Sequence, residues 1–244
     1  MQKDTHHIQT TKKSDIFLGH NSHWRSVDES LLTFMTSKKM LDKYMIDLEN
    51  MALTEHVPFE TPLHKIYKNE LLSYNSKYNL ISRSTEKSIW SRHILDSAQL
   101  LKYFNTKNNA KLADFGTGAG FPGIVIAIYN KNPKFHVKLY EKSSVKRDFL
   151  NNIKKRLNLN IEIEKNVYSG SINADIIVSR AFKKLAEIIS ISREIIKKPH
   201  RMFILKGKSA QDEINKLSLG QNYSYKLERS ITDVDSKIIT VEVT

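Results

Sequence analysis

The chain has 244 residues, which is enough for one α/β domain with a smaller appendage but too few for two large domains. It contains no cysteine, which excludes disulfides, thiolate metal sites and a thiol nucleophile. Its formal net charge of +13 fits a lysine-rich proteome as well as a polyanionic partner, since surface lysine and arginine attract phosphate groups, and charge alone does not distinguish RNA, DNA and acidic membranes.

The N-terminal part of the chain is predicted to be helical after a polar extension. Residues 1–27 are polar and weakly periodic, and we interpret them as a disordered or loosely docked extension. They lack an apolar run of the signal-peptide type, and no segment has the roughly 18–20 apolar residues of a membrane span, so we expect a cytoplasmic protein without membrane association. Residues 28–105 form the predicted helical part, with apolar side chains at helical spacing in segments 31–51, 63–74 and 86–104.

Residues 106–244 alternate short apolar runs with helical patterns, which predicts an α/β domain with a mostly parallel sheet. The candidate strands are 111–115, 136–141, 161–165, 175–179 and 202–206. The candidate helices are 122–129, 145–157, 182–197 and 211–217. Two further strands, 223–229 and 237–243, follow each other without an intervening helix, which indicates an antiparallel pair at the end of the sheet.

A glycine-rich segment runs from Asp114 through Gly116, Gly118 and Gly120, between the first predicted strand and a predicted helix. Ligands of α/β sheets bind at such junctions, because glycine lets the backbone approach the ligand and the helix N-terminus presents free amides to an anionic group. From Gly118 to Gly123 the segment matches the dinucleotide pattern G-x-G-x-x-G, which fits an NAD-binding dehydrogenase. An acid two residues before three alternating glycines is instead typical of S-adenosylmethionine sites, where the acid lies near the cofactor's amino group.

A second acid, Glu141, ends the second predicted strand. An acid at this position can accept hydrogen bonds from both ribose hydroxyls, and both cofactor classes use one. Asp114 therefore carries the preference for S-adenosylmethionine, and the NAD interpretation stays open on this loop alone.

Further motifs occur in a fixed order along the chain: RHILDS at 92–97, FPG at 121–123, SRAF at 179–182 and LKG at 205–207. Together with the glycine loop, they resemble the RsmG (GidB) family of 16S ribosomal RNA methyltransferases, from about residue 54 to residue 243. The resemblance implies a class I methyltransferase fold, Rossmann-like, with a mostly parallel seven-stranded sheet whose last strand is antiparallel, here in residues 106–244. It implies methyl transfer from S-adenosyl-L-methionine, without a metal, to N7 of one guanine in the decoding-region loop. We expect a monomer that acts on 16S rRNA or on the assembling small ribosomal subunit.

The glycine loop, Glu141 and the resemblance together give the candidate site residues. Those expected to bind the cofactor are Asp114, Gly116, Gly118, Gly120, Phe121, Glu141, Asn166, Val167, Tyr168 and Arg180. Of these, 166–168 match the family's adenine-contacting segment, and the segment with Arg92, His93 and Asp96 matches the part that faces the site from the helical residues. Lys237 departs from the family, which usually has an arginine shortly before its last strand, and this departure is the one sign of an inactive RNA-binding relative.

The expected reaction needs no general base, because guanine N7 carries a lone pair and no proton. We therefore interpret Arg180 and Lys206 as catalytic residues that fix the phosphate or O6 of the target nucleotide, with a surface ion pair as the alternative. His93 and Asp96 are three residues apart on one helix face and could dock the helical part onto the cofactor loop, although direct chemistry by His93 is also possible. The basic run 154–156 is either solvated charge or a contact for RNA phosphate.

Overall fold

The computed structural model describes residues 61–168, 170–217 and 223–244, and seven strands among them form one sheet. The strands are β1 Lys111–Phe115, β2 His136–Tyr140, β3 Ile161–Glu164, β4 Ile176–Arg180, β5 His200–Lys206, β6 Tyr223–Arg229 and β7 Lys237–Val243. Their order is β3-β2-β1-β4-β5-β7-β6. β1 to β5 are parallel, and β7 is antiparallel to both of its neighbours. The predicted parallel sheet with an antiparallel last strand is confirmed.

The helices agree with the sequence pattern where the apolar period is regular. They are α1 Pro62–Tyr78, α2 Asp96–Ala98, α3 Gly123–Tyr129, α4 Ser144–Arg156, α5 Leu185–Ile195 and α6 Ala210–Asn215. α1 begins after Thr61, whose hydroxyl accepts a hydrogen bond from the His64 backbone N–H at 3.4 Å, while His64 Nδ1 accepts from the Thr61 N–H at 3.3 Å. The predicted polar extension and the predicted helix at 31–51 lie outside the described residues.

The structure differs from the prediction of one continuous helix over 86–104. Residues 83–103, here called the broken helical segment, instead form short turns of different type: 3₁₀ at Arg83–Ser88, π at Trp90–Leu95, α2, and 3₁₀ at Gln99–Tyr103. Side chains compete with regular backbone pairing here, because Ser97 Oγ donates to the His93 carbonyl at 2.6 Å and Gln99 Nε2 donates to the Asp96 carbonyl at 2.9 Å.

Apolar side chains cover both faces of the sheet. Leu112 faces a core that it shares with α1, α3, α4 and the broken helical segment, and all seven residues of α3 are buried. Ala113 and Phe115, also in β1, point to the opposite face of the sheet and belong to a second core, which α5 and α6 complete. Residues from α1 and from the sheet therefore share one continuous core. Within the described residues, no helix has the length and apolar character needed to cross a membrane.

Candidate active site

The carboxyl ends of the parallel strands meet at one edge of the sheet, and the glycine loop follows β1 there. Gly116, Gly118 and Gly120 have φ values of +72°, +60° and +105°, a region that residues with a Cβ rarely adopt. A Cβ at Gly116 would lie 2.3 Å from Phe182 Cδ2, and a Cβ at Gly120 would lie 2.4 Å from Ile124 Cγ1. A Cβ at Gly118 would meet no atom within 4 Å. The loop is thus tightly packed at both ends and faces open space at its centre.

Asp114 braces this loop against the start of α3. Its carboxylate is fully buried, and Oδ2 accepts hydrogen bonds from Thr117 Oγ1 at 2.5 Å and from the Gly123 N–H at 2.8 Å. Oδ1 is buried without a hydrogen-bond partner in the described part of the chain. Burial raises the pKa of Asp114 to about 7, although the bonds from Thr117 and Gly123 act in the opposite direction. One carboxylate oxygen therefore holds the loop, and the other lacks a donor.

Glu141 lies directly after β2 and reaches the centre of the loop. Its Oε2 accepts from the Gly118 N–H at 3.0 Å, and its Oε1 accepts from the Ser143 N–H at 2.8 Å. Because an ionised carboxylate has about four acceptor positions, two of them remain for donors of a ligand.

The predicted adenine segment follows β3, which is the strand next to β2. Val167 is buried in the core, whereas Tyr168 is 57% exposed. The Tyr168 backbone N–H donates to Asn166 Oδ1 at 2.8 Å, which forms a tight turn. The segment is therefore at the same sheet edge as Glu141, with the Tyr168 ring on the surface.

Arg180, the last residue of β4, joins the glycine loop to the broken helical segment. Its Nη1 donates to the Arg92 carbonyl at 2.9 Å and to Asp96 Oδ2 at 3.3 Å, and its Nη2 donates to His93 Nδ1 at 2.7 Å. The guanidinium carbon lies 5.0 Å from the centre of the Phe121 ring. The His93 ring stacks on the same phenylalanine at 4.9 Å. The residues that the sequence predicted from three distant motifs thus meet in one cluster.

His93 is held in one tautomer by its neighbours. Burial, followed by the positive charges of Arg180 and Arg92, lowers the pKa of His93 to about 3, so the ring is neutral at physiological pH. Nδ1 must accept, because the Arg180 guanidinium only donates. The proton therefore lies on Nε2, 2.9 Å from Thr85 Oγ1, and the Thr85 hydroxyl in turn donates to the Ser82 carbonyl at 2.8 Å. With both nitrogens engaged, the geometry favours a positioning role for His93 over direct proton transfer.

Lys206 ends β5 and already has partners. Its Nζ donates to the Lys183 carbonyl at 2.6 Å and pairs with Glu213 at 2.8 Å, and only 11% of the side chain is exposed. Glu213 also accepts from the Leu185 N–H at 2.6 Å, which ties the pair to the start of α5. Lys237 lies opposite Lys206 in the β5–β7 register. Sequence reasoning did not anticipate the carboxylate of Glu213 beside this lysine.

Comparison of the sequence with known protein families and with curated proteins identifies its family. The model of a family described as rRNA small subunit methyltransferase G (GidB) matches residues 61–239. The chain belongs to this family. Curated members called "Ribosomal RNA small subunit methyltransferase G" include one from Orientia tsutsugamushi (strain Ikeda), 37% identical over 181 residues, which covers 73% of this chain and 88% of that protein. Another, from Pelagibacter ubique (strain HTCC1062), is 31% identical over 195 residues and covers 77% of this chain and 91% of that protein.

Membership of the rRNA small subunit methyltransferase G family confirms the resemblance drawn from the motifs. The fold is the class I methyltransferase fold predicted from the sequence, as the strand order and the antiparallel β7 indicate. A chain in a crystal structure of a fibrillarin/Nop5p complex superposes with a TM-score of 0.50 and 13% identity, over 63% of this chain and 82% of that chain. This last similarity concerns the fold alone.

Four residues that contact this site were not predicted from the sequence. The Tyr67 hydroxyl, from α1, donates to the Ala119 carbonyl of the loop at 2.7 Å. The other three are Thr85, Thr117 and Phe182, whose contacts are given above. Phe182 and Thr117 had a signal, since Phe182 ends the SRAF motif and Thr117 lies inside the glycine loop, whereas Tyr67 is indistinguishable from the other apolar residues of its helix.

Metal binding has no candidate in the described ranges, where no group of three or more His, Cys, Asp or Glu side chains could hold an ion.

Proposed function

We propose that the protein transfers a methyl group from S-adenosyl-L-methionine to N7 of a specific guanine in the decoding-region loop of 16S rRNA. The observation that carries this proposal is membership of the rRNA small subunit methyltransferase G family over residues 61–239. The substrate is 16S rRNA or the assembling small subunit, and the enzyme is a cytoplasmic monomer that needs no metal. The family supports methyl transfer over the dehydrogenase interpretation of the glycine loop.

The residues around Gly118 fit the proposed methyl donor. When bound, S-adenosylmethionine would supply an electrophilic methyl group on a positively charged sulfur. Glu141, which accepts from the Gly118 N–H, keeps two acceptor positions beside the open space at Gly118. The buried Asp114 carboxylate that braces the loop has an oxygen without a partner among the described residues. We assign the unpartnered Oδ1 of Asp114 to the amino group and the carboxylate of Glu141 to the ribose hydroxyls. The turn at Asn166 and Val167 would border the adenine, with Tyr168 contributing through its backbone.

The target nucleotide is assigned to Arg180 and Lys206. Arg180 has five N–H groups and uses three of them on Arg92, His93 and Asp96, which leaves two for a ligand within the described contacts. Lys206 has three N–H groups and two partners, Lys183 and Glu213. Because N7 gains positive charge as it is methylated, these cations must bind the phosphate or O6 and leave N7 free.

Positioning of the guanine then accounts for catalysis, since N7 needs no base and alignment alone supplies a large part of such rate increases. In this scheme His93 is a positioning residue, because its neutral Nδ1 accepts from Arg180 and its ring stacks on Phe121. Asp96 contributes to the same end, since its Oδ2 accepts from Arg180 while its Oδ1 accepts from Thr232 Oγ1 at 2.8 Å.

The decisive experiment maps N7-methylguanosine in 16S rRNA with and without the protein. We expect one modified guanine in the decoding-region loop, which disappears with Arg180→Ala and is reduced with Arg180→Lys. Arg193→Ala is the matched control, because this arginine of α5 contacts only the Tyr223 ring among the interactions described. Full modification by Arg180→Ala would contradict the assigned role, and NAD binding without S-adenosylmethionine binding would contradict the proposed reaction.

A further inference from the structure

The opposite edge of the sheet carries a second concentration of positive charge. Three segments meet at the amino ends of β1, β2 and β3: residues 105–110, 130–135 and 154–160. Five lysines belong to them, here called the amino-edge platform: Lys107, Lys131, Lys134, Lys154 and Lys155. None of the residues assigned to the active site lies on these segments.

Asparagine side chains join the three segments into one structure. Asn132 Nδ2 donates to the Lys107 carbonyl at 2.8 Å, and Asn132 Oδ1 accepts from the Lys134 N–H at 2.9 Å. Asn160 Nδ2 donates to the Pro133 carbonyl at 2.8 Å. The Leu159 N–H donates to the Lys154 carbonyl at 3.0 Å, which continues the connection into the third segment. The backbone that carries Lys107, Lys134 and Lys154 is therefore held by these hydrogen bonds, so that binding orders little additional backbone.

The charge of the platform is not neutralised in the described part of the chain. Four of its lysines are exposed and Lys154 is half-buried, and none forms an ion pair with a described residue. Of the neighbouring charged groups, Arg156 pairs with Glu70 at 2.9 Å, and Glu162 pairs with Lys138 at 3.1 Å. The nearby carboxylates are thus engaged elsewhere, and five positive charges remain for an external anion.

We infer that the amino-edge platform binds the phosphate backbone of the RNA substrate away from the methylated guanine, an inference that rests on the proposed function. β1 and β2 have five residues each. At about 3.3 Å per residue, the platform lies roughly 17 Å from the cofactor loop. A single nucleotide cannot span this distance, so the platform engages only RNA that extends well beyond the target.

The same surface is a poorer match for a membrane. Peripheral membrane sites combine basic residues with aromatic or large apolar side chains that enter the lipid interface. The large exposed apolar side chains of the described residues are Tyr78, Val145, Tyr168, Tyr225 and Val234, and none of them is on the three platform segments. A rigid, purely basic surface suits phosphates that stay in water, as those of RNA do.

The test compares two triple variants of the full chain. Lys107→Gln/Lys131→Gln/Lys134→Gln removes three platform charges, and Arg193→Gln/Lys216→Gln/Lys226→Gln removes three exposed charges from α5, the end of α6 and β6. Binding to a 16S decoding-region transcript is measured over a salt series, together with KM and kcat for this transcript and for a short oligonucleotide of the target loop. S-adenosylmethionine affinity and thermal unfolding check that each variant is folded.

For the platform variant we expect the slope of log affinity against log salt to fall by about 0.7–0.9 per lysine that contacts a phosphate. We expect KM for the transcript to rise about tenfold, with kcat and the oligonucleotide KM unchanged. Equal slopes and KM values in the platform variant and the wild type would overturn the inference. It would also be overturned if the control variant changed as much as the platform variant, because the effect would then come from total charge and not from the platform. Loss of binding to phosphatidylserine vesicles, with RNA binding intact, would assign the surface to a membrane instead. If the wild type methylates no guanine, the proposed function fails, whereas the salt slopes still test the platform.

Discussion

Replacing Thr85 by valine should release the His93 ring from its hydrogen bond within the broken helical segment and loosen Arg180. Valine has nearly the volume of threonine but lacks the hydroxyl that accepts from His93 Nε2 at 2.9 Å. The ring cannot adapt by moving its proton to Nδ1, because Nδ1 faces the Arg180 Nη2 donor at 2.7 Å. The variant must therefore either leave the Nε2–H without an acceptor or rotate the ring away from Arg180.

The expected size of the effect follows from these two outcomes. An unsatisfied, partly buried N–H costs about 1–3 kcal/mol, so the free energy of unfolding should fall by that amount. Rotation of the ring relieves this cost but removes one of the three bonds that orient the guanidinium. A loss of about 1.4 kcal/mol in the orientation of Arg180 would reduce methyl transfer about tenfold.

Urea denaturation and single-turnover methyl transfer at saturating RNA measure the two effects separately. Thr85→Ser is the matched control, because it keeps a hydroxyl that can accept from His93 and donate to the Ser82 carbonyl. The reasoning is refuted if Thr85→Val keeps wild-type stability and turnover, or if Thr85→Ser is impaired as strongly as Thr85→Val. Because the pKa of His93 is lowered to about 3, turnover should also show no titration of this group between pH 6 and 8.

Three further substitutions test the glycine loop by calorimetric binding of S-adenosylmethionine. Gly118→Ala puts a methyl group into the open space at φ +60°. We expect cofactor binding to weaken more than tenfold, while the free energy of unfolding falls by only about 1–2 kcal/mol. Unchanged affinity would contradict the assignment of this space to the cofactor. Glu141→Gln replaces one acceptor oxygen by a donor, so Kd should rise about tenfold, and a wild-type Kd would argue against the ribose contact. Burial raises the pKa of Asp114 to about 7, and only the ionised carboxylate attracts the ammonium group of S-adenosylmethionine. The affinity for S-adenosylmethionine should therefore fall below pH 7 by up to about tenfold per pH unit. The Asp114→Asn variant should bind the cofactor weakly, with an affinity that does not change with pH.

The strands of this fold could be predicted from the sequence because each apolar run is short and bounded by polar residues. β1, β6 and β7 have the predicted bounds, and the other strands differ by one or two residues at their ends. The broken helical segment could not be predicted in detail, because Gln99, whose amide donates to the Asp96 carbonyl, is also held by Ser230 and by the Ile231 N–H, which only the folded chain supplies. The spacing of apolar residues indicates which side chains are buried. This spacing is the same for a regular helix and for a series of short helical turns, so it cannot distinguish the two.

The site was predictable in its members but less so in their partners. Asp114 and Glu141 were recognised from their positions at strand ends, which is a local feature. The bond from Tyr67 to the Ala119 carbonyl and the bonds of Arg180 to the broken helical segment join residues 52 to 88 positions apart, and they depend on tertiary packing. Lys206 pairs with Glu213 and keeps one further donor within the described contacts. Composition and spacing contain no information about such long-range partners.

The packing around Phe121 explains why the motifs were specific only in combination. The RHILDS segment supplies His93, the FPG segment supplies Phe121 and the SRAF segment supplies Arg180. His93 and Arg180 both lie within about 5 Å of the Phe121 ring, so three sequence segments share one small cluster. A change in any one of them alters the surroundings of the other two, which ties the cofactor loop to the residue assigned to the RNA. Under the proposed function, methyl donor and target base are therefore coupled through side-chain contacts at the end of β4, and the Thr85 experiment tests this coupling through His93 and Arg180.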